Sequence, residues 1–211
     1  MDEWHGTKYW QRRPKEERTR RAAIPTTLEH ARMSNYDTSI GGAEAHAEVH
    51  NWLEEYPSHR ASPQGLLLVG RSGSGKSHLA VAALRAAIRT YRQCGYYITA
   101  FDYLRALDDY REFGGVLPDS YEEGNLLTYL KHVYDVVVLD GLDQTRNTDF
   151  ARQAITELAV SRYDRGLVTI YTTSTSVLSS AINKRFEVLV NGTNIGINVR
   201  AGNYWERPRG R

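Results

Sequence analysis

A pattern for binding phosphate groups occupies one short stretch of the chain. The sequence GxxxxGK(S/T) is matched by eight consecutive residues: Gly70, Arg71, Ser72, Gly73, Ser74, Gly75, Lys76 and Ser77. An apolar run at 66–69 precedes it, and apolar residues at helical spacing follow it from Leu79 to Ile88. A strand, a glycine-rich loop and a helix in this order predict a nucleoside triphosphate site in an α/β fold.

The residue types of this loop define the expected chemistry. Glycines allow successive backbone N–H groups to point at a polyphosphate, and the following helix N-terminus adds partial positive charge. We predict that Lys76 reaches the β- and γ-phosphates of ATP and that the Ser77 hydroxyl binds the Mg²⁺ that bridges them. His78 follows directly and is assigned to the same nucleotide-binding segment. ATP and Mg²⁺ are the expected cofactors.

A second candidate for metal binding closes another apolar run. Residues 136–139 are all apolar, and Asp140 follows them, as expected of a buried parallel strand whose carboxyl end meets a ligand. We predict that Asp140 holds Mg²⁺ together with Ser77; the alternative is a helix or loop cap. Position 141, where many ATP-hydrolysing proteins carry a second carboxylate, is a glycine, so we expect slow hydrolysis. Asp143 is either a substitute base or a solvated turn residue.

The 211-residue chain has the length of one α/β domain with an appendage. Its single cysteine, Cys94, excludes an internal disulfide, and its charged beginning has no apolar signal segment. No apolar run approaches the roughly 18 residues that a membrane helix needs. These features favour a cytoplasmic protein without membrane association.

Basic residues are concentrated at both ends, although the net charge is only +2. Residues 8–21 contain seven Lys and Arg but two Glu, and residues 205–211 contain three Arg. We predict four segments: a basic flexible N-terminal arm at 1–23, a helical lead-in at 24–63, an ATPase core at 64–204 and a basic tail at 205–211. The arm is expected to bind phosphate groups or an acidic partner surface.

Hydrophobic periodicity predicts that strands and helices alternate along the core. The predicted helices lie at 42–56, 103–113, 121–132 and 150–162, and the predicted strands at 66–69, 96–101, 136–140 and 168–172. Residues 188–190 and 195–199 suggest a last strand or a hairpin. This order favours a mostly parallel sheet sandwiched by helices. It fits an ASCE-type P-loop ATPase better than a compact nucleotide kinase.

Several polar side chains are candidates for sensing the nucleotide or for metal binding. Ser174 ends the run that starts at Thr172, where a hydroxyl can contact the γ-phosphate or its attacking water; a helix N-cap is the alternative. Arg185 could reach the nucleotide site of a neighbouring subunit, or form a surface salt bridge. The same two alternatives apply to Arg162. His46 and His50 have a spacing compatible with a metal, but a third ligand is not evident.

Taken together, these residues resemble those of AAA+ helicase loaders of the bacterial DnaC and DnaI type and of the similar IstB transposition ATPases. The resemblance extends from about Ala23 to Tyr204. The matching residues are Ile24, Pro25 and Tyr36 before the core, the stretches 65–70 and 75–80, Asp140, Ser161 to Tyr163, the strand end at 172–174, and Lys184 with Arg185.

The resemblance implies ATP-bound subunits that form a spiral, with Arg185 serving the neighbouring site and the helices at 103–132 contacting DNA and the next subunit. It also implies a AAA+ core without a C-terminal helical lid. The chain departs from the family pattern at Gly141, at Ser174, where asparagine is common, and after Tyr204, where an arginine is common. Only about 23 residues precede Ile24, which fits a compact phage-type loader whose arm docks on the helicase.

The leading hypothesis is an ATPase that assists the loading of a replicative DNA helicase onto single-stranded DNA. ATP would act as an assembly switch, and subunits would form a homo-oligomer through bound nucleotide. Two alternatives stay open: a transposition helper ATPase, and a nucleotide-gated DNA-binding module without useful hydrolysis. The sequence does not identify the partner, the number of subunits or the DNA polarity.

Overall fold

A parallel sheet forms the centre of the molecule. The computed structural model describes residues 13–56, 64–115, 126–145 and 148–206. Within these ranges, the strands β1 (Gly65–Val69), β2 (Gly95–Thr99), β3 (Val136–Asp140), β4 (Val168–Thr173) and β5 (Asn194–Asn198) pair in the order β2-β3-β4-β1-β5. Every pairing is parallel. The α/β fold predicted from the sequence is confirmed.

Helices cover both faces of this sheet. In chain order they are α1 (Lys15–Arg20), α2 (Ala43–Glu54), α3 (Lys76–Thr90), α4 (Ala100–Glu112), α5 (Leu126–His132), α6 (Asp149–Tyr163), α7 (Leu178–Ala181) and α8 (Lys184–Thr193). Short 3₁₀ turns occupy Thr26–Leu28, Met33–Asn35, Thr38–Ile40, Leu142–Gln144 and Tyr204–Glu206. Over the described ranges, no helix is long and apolar enough to cross a bilayer.

Alternation along the strands separates two hydrophobic cores. Leu66, Leu68 and Val138 face one side, where they join buried residues of α2 and α3. Leu67 and Leu139 face the other side and join buried residues of α4 to α8. Because successive side chains of a strand point to opposite faces, apolar runs buried on both sides indicate a sheet between two helical layers.

Two predicted strand boundaries were wrong. The strand predicted at 96–101 ends at Thr99, whose Oγ1 accepts a hydrogen bond from the backbone N–H of Asp102 at 2.9 Å and caps α4. Residues 188–190 belong to α8, so the hairpin alternative is wrong, whereas the alternative of a last strand is confirmed by β5, which pairs in parallel with β1. Of the helix predicted at 121–132, residues 121–125 lie outside the described ranges.

The flexible arm predicted at 1–23 is wrong for its second half. Residues 15–20 form α1, and Ala22 is fully buried. The Ala22 carbonyl accepts a hydrogen bond from the backbone N–H of Tyr97 on β2 at 2.8 Å. Arg18 is only 5% exposed, and its Nε and Nη1 are buried without a hydrogen-bond partner in the described part of the chain. Residues 1–12 and the basic tail at 207–211 lie outside the described ranges.

Candidate nucleotide-binding site

The phosphate loop follows the central strand β1 and leads into α3. Gly73 and Gly75 adopt left-handed φ angles of 77° and 90°, a conformation that favours glycine. A Cβ atom at Gly75 would also lie 2.8 Å from Cε2 of Tyr36. Glycine at position 75 is therefore required both by the backbone turn and by the close approach of Tyr36.

Lys76 bends back over this loop. Its Nζ donates hydrogen bonds to the carbonyls of Gly70 at 2.6 Å and of Arg71 at 2.9 Å. Burial lowers the pKa of Lys76, and the carboxylates of Asp143 and Asp140 partly oppose that effect. The ammonium group thus lies against the carbonyls at the start of the loop, beside the place where a phosphate-binding lysine acts.

The other loop residues have different exposures. Arg71 and Ser72 are exposed at the tip, whereas Ser74 is 2% exposed. The hydroxyl of Ser74 has no hydrogen-bond partner in the described part of the chain. A buried polar atom without a partner is uncommon in folded proteins and fits a loop built to contact a polar ligand.

The two predicted metal ligands lie together. The Ser77 hydroxyl donates to Asp140, at 2.9 Å from Oδ1 and 3.0 Å from Oδ2. Hydroxyl and carboxylate oxygens are the ligands that Mg²⁺ prefers, usually with phosphate oxygens and water completing its shell. This donor set fits a magnesium ion bound with a nucleotide.

Tyr97 and Thr172 hold Asp140 in place, a role that the sequence analysis assigned to neither. The hydroxyl of Tyr97 donates to Asp140 Oδ2 at 2.7 Å, and that of Thr172 donates to Oδ1 at 2.5 Å. Burial, reinforced by the negative charge of Asp140, raises the pKa of Tyr97 above its usual range, so the hydroxyl stays protonated and donates. Local sequence carries no signal for this role of Tyr97, because its approach to Asp140 depends on the register of β2 and β3, in which Thr99 pairs with Asp140.

A carboxylate lies near the site despite the glycine at position 141. Gly141 has a left-handed φ of 74°, and the chain then enters the turn Leu142–Gln144. Asp143 in this turn accepts hydrogen bonds from the backbone N–H of Ser174 at 2.9 Å and from the Ser174 hydroxyl. Partial burial acts to raise the pKa of Asp143, but these hydrogen bonds outweigh it and the net pKa is lowered.

Ser174 is therefore linked to Asp143 and is not a helix cap. The following helix α7 begins at Leu178, and its N-cap position is Val177, whose N–H is accepted by the Thr175 hydroxyl. Asp140 is contacted by Thr172, two residues before Ser174. The predicted sensing role of Ser174 stays a prediction.

The two candidate arginines lie in different environments. Arg185 is exposed in the first turn of α8, and in the described part of the chain no hydrogen bond or ion pair joins it to the phosphate loop or to Asp140. Arg162 is fully buried and donates to Thr169 Oγ1 and to the carbonyls of Leu130 and Val168. It therefore stabilises the core and cannot reach a neighbouring subunit.

The lead-in and the end of the core both contact the phosphate loop. The Tyr36 hydroxyl donates to the carbonyl of Ser74 at 3.2 Å, and the Tyr204 N–H donates to the carbonyl of Gly73 at 3.0 Å. His78 Nε2 donates to the carbonyl of Arg32 at 3.0 Å, so its ring binds the lead-in. The contacts of Tyr36 and Tyr204, which come from distant parts of the chain, hold the loop in place.

The structure brings no third ligand to His46 and His50 among the described residues. His46 Nε2 donates to the carbonyl of Met33 at 2.9 Å and its ring stacks on Tyr36. Among the described residues, no group of three His, Cys, Asp or Glu side chains could hold a metal ion. The spacing of His46 and His50 reflects one face of α2.

Similar proteins share both sequence and fold with this chain. A family model for IstB-like ATP binding proteins matches residues 7–180. The DnaC helicase loader has a TM-score of 0.71 and 23% identity, covering 83% of this chain and 100% of that one. DnaI has a TM-score of 0.58 and 18% identity, covering 86% and 94%. A comparison with curated protein sequences found no match.

A third structure has a bound nucleotide analogue. The replication initiator DnaA bound to AMPPCP and single-stranded DNA has a TM-score of 0.64 and 18% identity, covering 83% of this chain and 51% of that one. At such identities the structural likeness shows a shared P-loop ATPase fold. Because the family model spans most of the sequence, and because the loop and Asp140 lie together as nucleotide binding requires, the chain belongs to the family of IstB-like ATP binding proteins.

Proposed function

We propose that this protein uses ATP to assist the loading of a replicative DNA helicase onto single-stranded DNA. The observation that carries the ATP-dependent part is the contact between Ser77 and Asp140 beside the Lys76 ammonium. The proposed role in helicase loading is supported by the structural similarity to the DnaC helicase loader, which extends over 100% of that chain.

The bound nucleotide would act mainly as an assembly switch. Lys76 and the loop amides would hold the phosphates, while Ser77 and Asp140 would hold Mg²⁺. The metal would neutralise charge on the phosphate oxygens. Asp143 lies close enough to Lys76 to affect its pKa, so it is our candidate for orienting the attacking water. We expect slow hydrolysis, because Asp143 is also tied to Ser174.

Single-stranded DNA and other copies of the chain are the proposed partners besides the helicase. Arg185 is exposed and has no partner in the described part of the chain, so it is available to a second subunit. Subunits joined in this way would form a homo-oligomer around bound nucleotide. The likeness to a DnaA structure that contains single-stranded DNA supports the choice of DNA.

The first test measures ATP binding and phosphate release by wild type, Lys76→Ala and Asp140→Ala, each with and without single-stranded DNA. Lys76→Ala should weaken ATP binding, since it removes the cation that contacts the phosphates. Asp140→Ala should abolish the Mg²⁺ dependence of binding. Arg165→Ala, at an exposed position beyond α6, is the control and should behave as wild type. Equal background release by all variants would leave only a binding role.

A transposition helper ATPase is the second candidate, because the matching family is described by its likeness to IstB. Capture of the replicative helicase by the ATP-bound protein would favour the loader. Capture of a transposase, with no effect on helicase loading, would favour the helper.

A further inference from the structure

A basic groove lies on the side of the sheet that carries α3, apart from the phosphate loop. It has a volume of about 700 Å³ and runs between α1, the lead-in and the second half of α3. Five basic side chains line it, opposed by two glutamates, and the single aliphatic side chain in its lining is Ile24. The basic residues are Lys15, Arg20, Arg32, Arg85 and Arg89.

Arg85 is the buried member of this group. It is 8% exposed, and its Nε has no hydrogen-bond partner in the described part of the chain. Burial lowers the pKa of Arg85, and the charges of Arg32 and Arg89 lower it further, while Glu29 opposes the shift. A buried guanidinium that faces other cations is costly unless an anion joins it.

The neighbouring arginine does not relieve this repulsion. Nη1 of Arg32 donates to the carbonyls of Glu29 and Ala31, both at 2.9 Å, which are neutral partners. Burial lowers the pKa of Arg32, and the charge of Arg89 adds to the effect. The five basic side chains therefore give the groove more positive charge than Glu16 and Glu29 balance.

We infer that this groove binds the phosphodiester backbone of single-stranded DNA, as a site separate from the phosphate loop. The inference rests on the proposed function and adds a DNA contact in this groove to the one that the family resemblance implies for the helices at 103–132. Arginine presents paired N–H donors that match phosphate oxygens. The volume is far larger than one inorganic ion needs, since a water molecule occupies about 30 Å³.

The lining favours a nucleic-acid backbone over other anionic ligands. Pockets for small molecules are mostly apolar, and a peptide would need apolar contacts for its side chains. This groove is lined almost wholly by charged and polar groups. A chain of phosphates, bound mainly through charge, fits such a surface.

The test compares two double variants that each remove two positive charges. Lys15→Gln/Arg89→Gln changes two exposed residues of the groove. Arg165→Gln/Arg200→Gln changes two exposed residues that do not line the groove and lie outside the helices at 103–132. Binding of fluorescein-labelled oligothymidylate in the presence of ATP is measured by anisotropy over a range of salt concentrations.

The groove variant should bind about tenfold more weakly, and its log–log salt slope should be smaller by about 1.4, because two phosphate contacts are lost. The control variant should match wild type. A third variant, Arg85→Met, should also weaken DNA binding without lowering the melting temperature, because it replaces an unpaired buried charge by an apolar side chain of similar length.

Equal affinities and slopes for the groove and control variants would overturn the inference while leaving the proposed function intact. Loss of helicase capture with unchanged DNA binding would also overturn it, in favour of an acidic protein surface. Absence of DNA binding by wild type would contradict the DNA-associated function and the groove assignment together.

Discussion

Three hydroxyl groups orient the Asp140 carboxylate. Tyr97 and Thr172 each donate to one of its oxygens, and Ser77 contacts both. Thr172 also accepts the backbone N–H of Gly141 at 2.8 Å, which links the carboxylate to the turn that follows it. A metal ligand held from several sides loses little freedom when it binds the ion, so these hydroxyls preorganise the site.

Asp143 provides a sharp test of hydrolysis. Its lowered pKa keeps the carboxylate ionised at neutral pH, as a group that accepts a hydrogen bond from water must be. Asp143→Asn should therefore reduce kcat for ATP hydrolysis by about 100-fold and leave ATP affinity unchanged. Steady-state phosphate release and equilibrium titration with ATP measure the two quantities.

Asp164→Asn is the matched control for this substitution, because it removes the same charge from an exposed residue at the end of α6. Equal turnover by the two variants would identify Asp143 as a turn residue without a role in hydrolysis.

Roles in nucleotide binding could be predicted for single motif residues, whereas the side chains that contact those residues could not be predicted. The pattern around Lys76 and Ser77, and the apolar run before Asp140, specify chemistry through local sequence. Tyr97 reaches Asp140 only because β2 and β3 pair in one register, and that register is a property of the tertiary structure. Asp143 was left open between two roles for a related reason, since its contact with Ser174 spans 31 residues.

Among the helices and turns, α1 shows where composition misleads. Its residues are almost all charged, and that pattern resembles a solvated arm. The helix nevertheless packs on α3, and the chain after it covers the edge of β2 through the Ala22 carbonyl. Helices with clear apolar periodicity, such as α2 and α3, were predicted with small errors at their ends.

Removing residues 1–22 should destabilise the whole fold. The backbone N–H of Tyr97 would lose its acceptor, at a cost of about 1–3 kcal/mol. Each kcal/mol lowers the melting temperature of a domain of this size by about 2–4 °C. Thermal unfolding followed by circular dichroism measures the change, with a variant lacking only residues 1–12 for comparison. The same melting temperature for both truncations would contradict a stabilising role of α1.

At the scale of the whole molecule, no hydrogen bond or ion pair in the described part of the chain joins the candidate arginine to the phosphate loop of the same subunit. Arg185 lies on α8, which packs on α6 and α7. We expect Arg185→Ala to retain ATP affinity but to lose about a thousandfold in DNA-stimulated hydrolysis, because transition-state charge in a neighbouring site is no longer stabilised.

Mixing two inactive variants distinguishes a contribution between subunits from one within a subunit. Lys76→Ala subunits retain Arg185, and Arg185→Ala subunits retain an intact phosphate loop. Their mixture should recover part of the hydrolysis rate, measured as phosphate release against each variant alone. A mixture no more active than its components would rule out an arginine supplied by a neighbour.

The contacts from Tyr36 and Tyr204 give the phosphate loop two mechanical anchors. They end on the carbonyls of adjacent residues, Ser74 and Gly73, yet they come from segments on opposite sides of the core in sequence. A displacement of either segment would therefore move the phosphate loop directly. The position of the loop thus depends on the lead-in and on the end of the core as well as on β1 and α3.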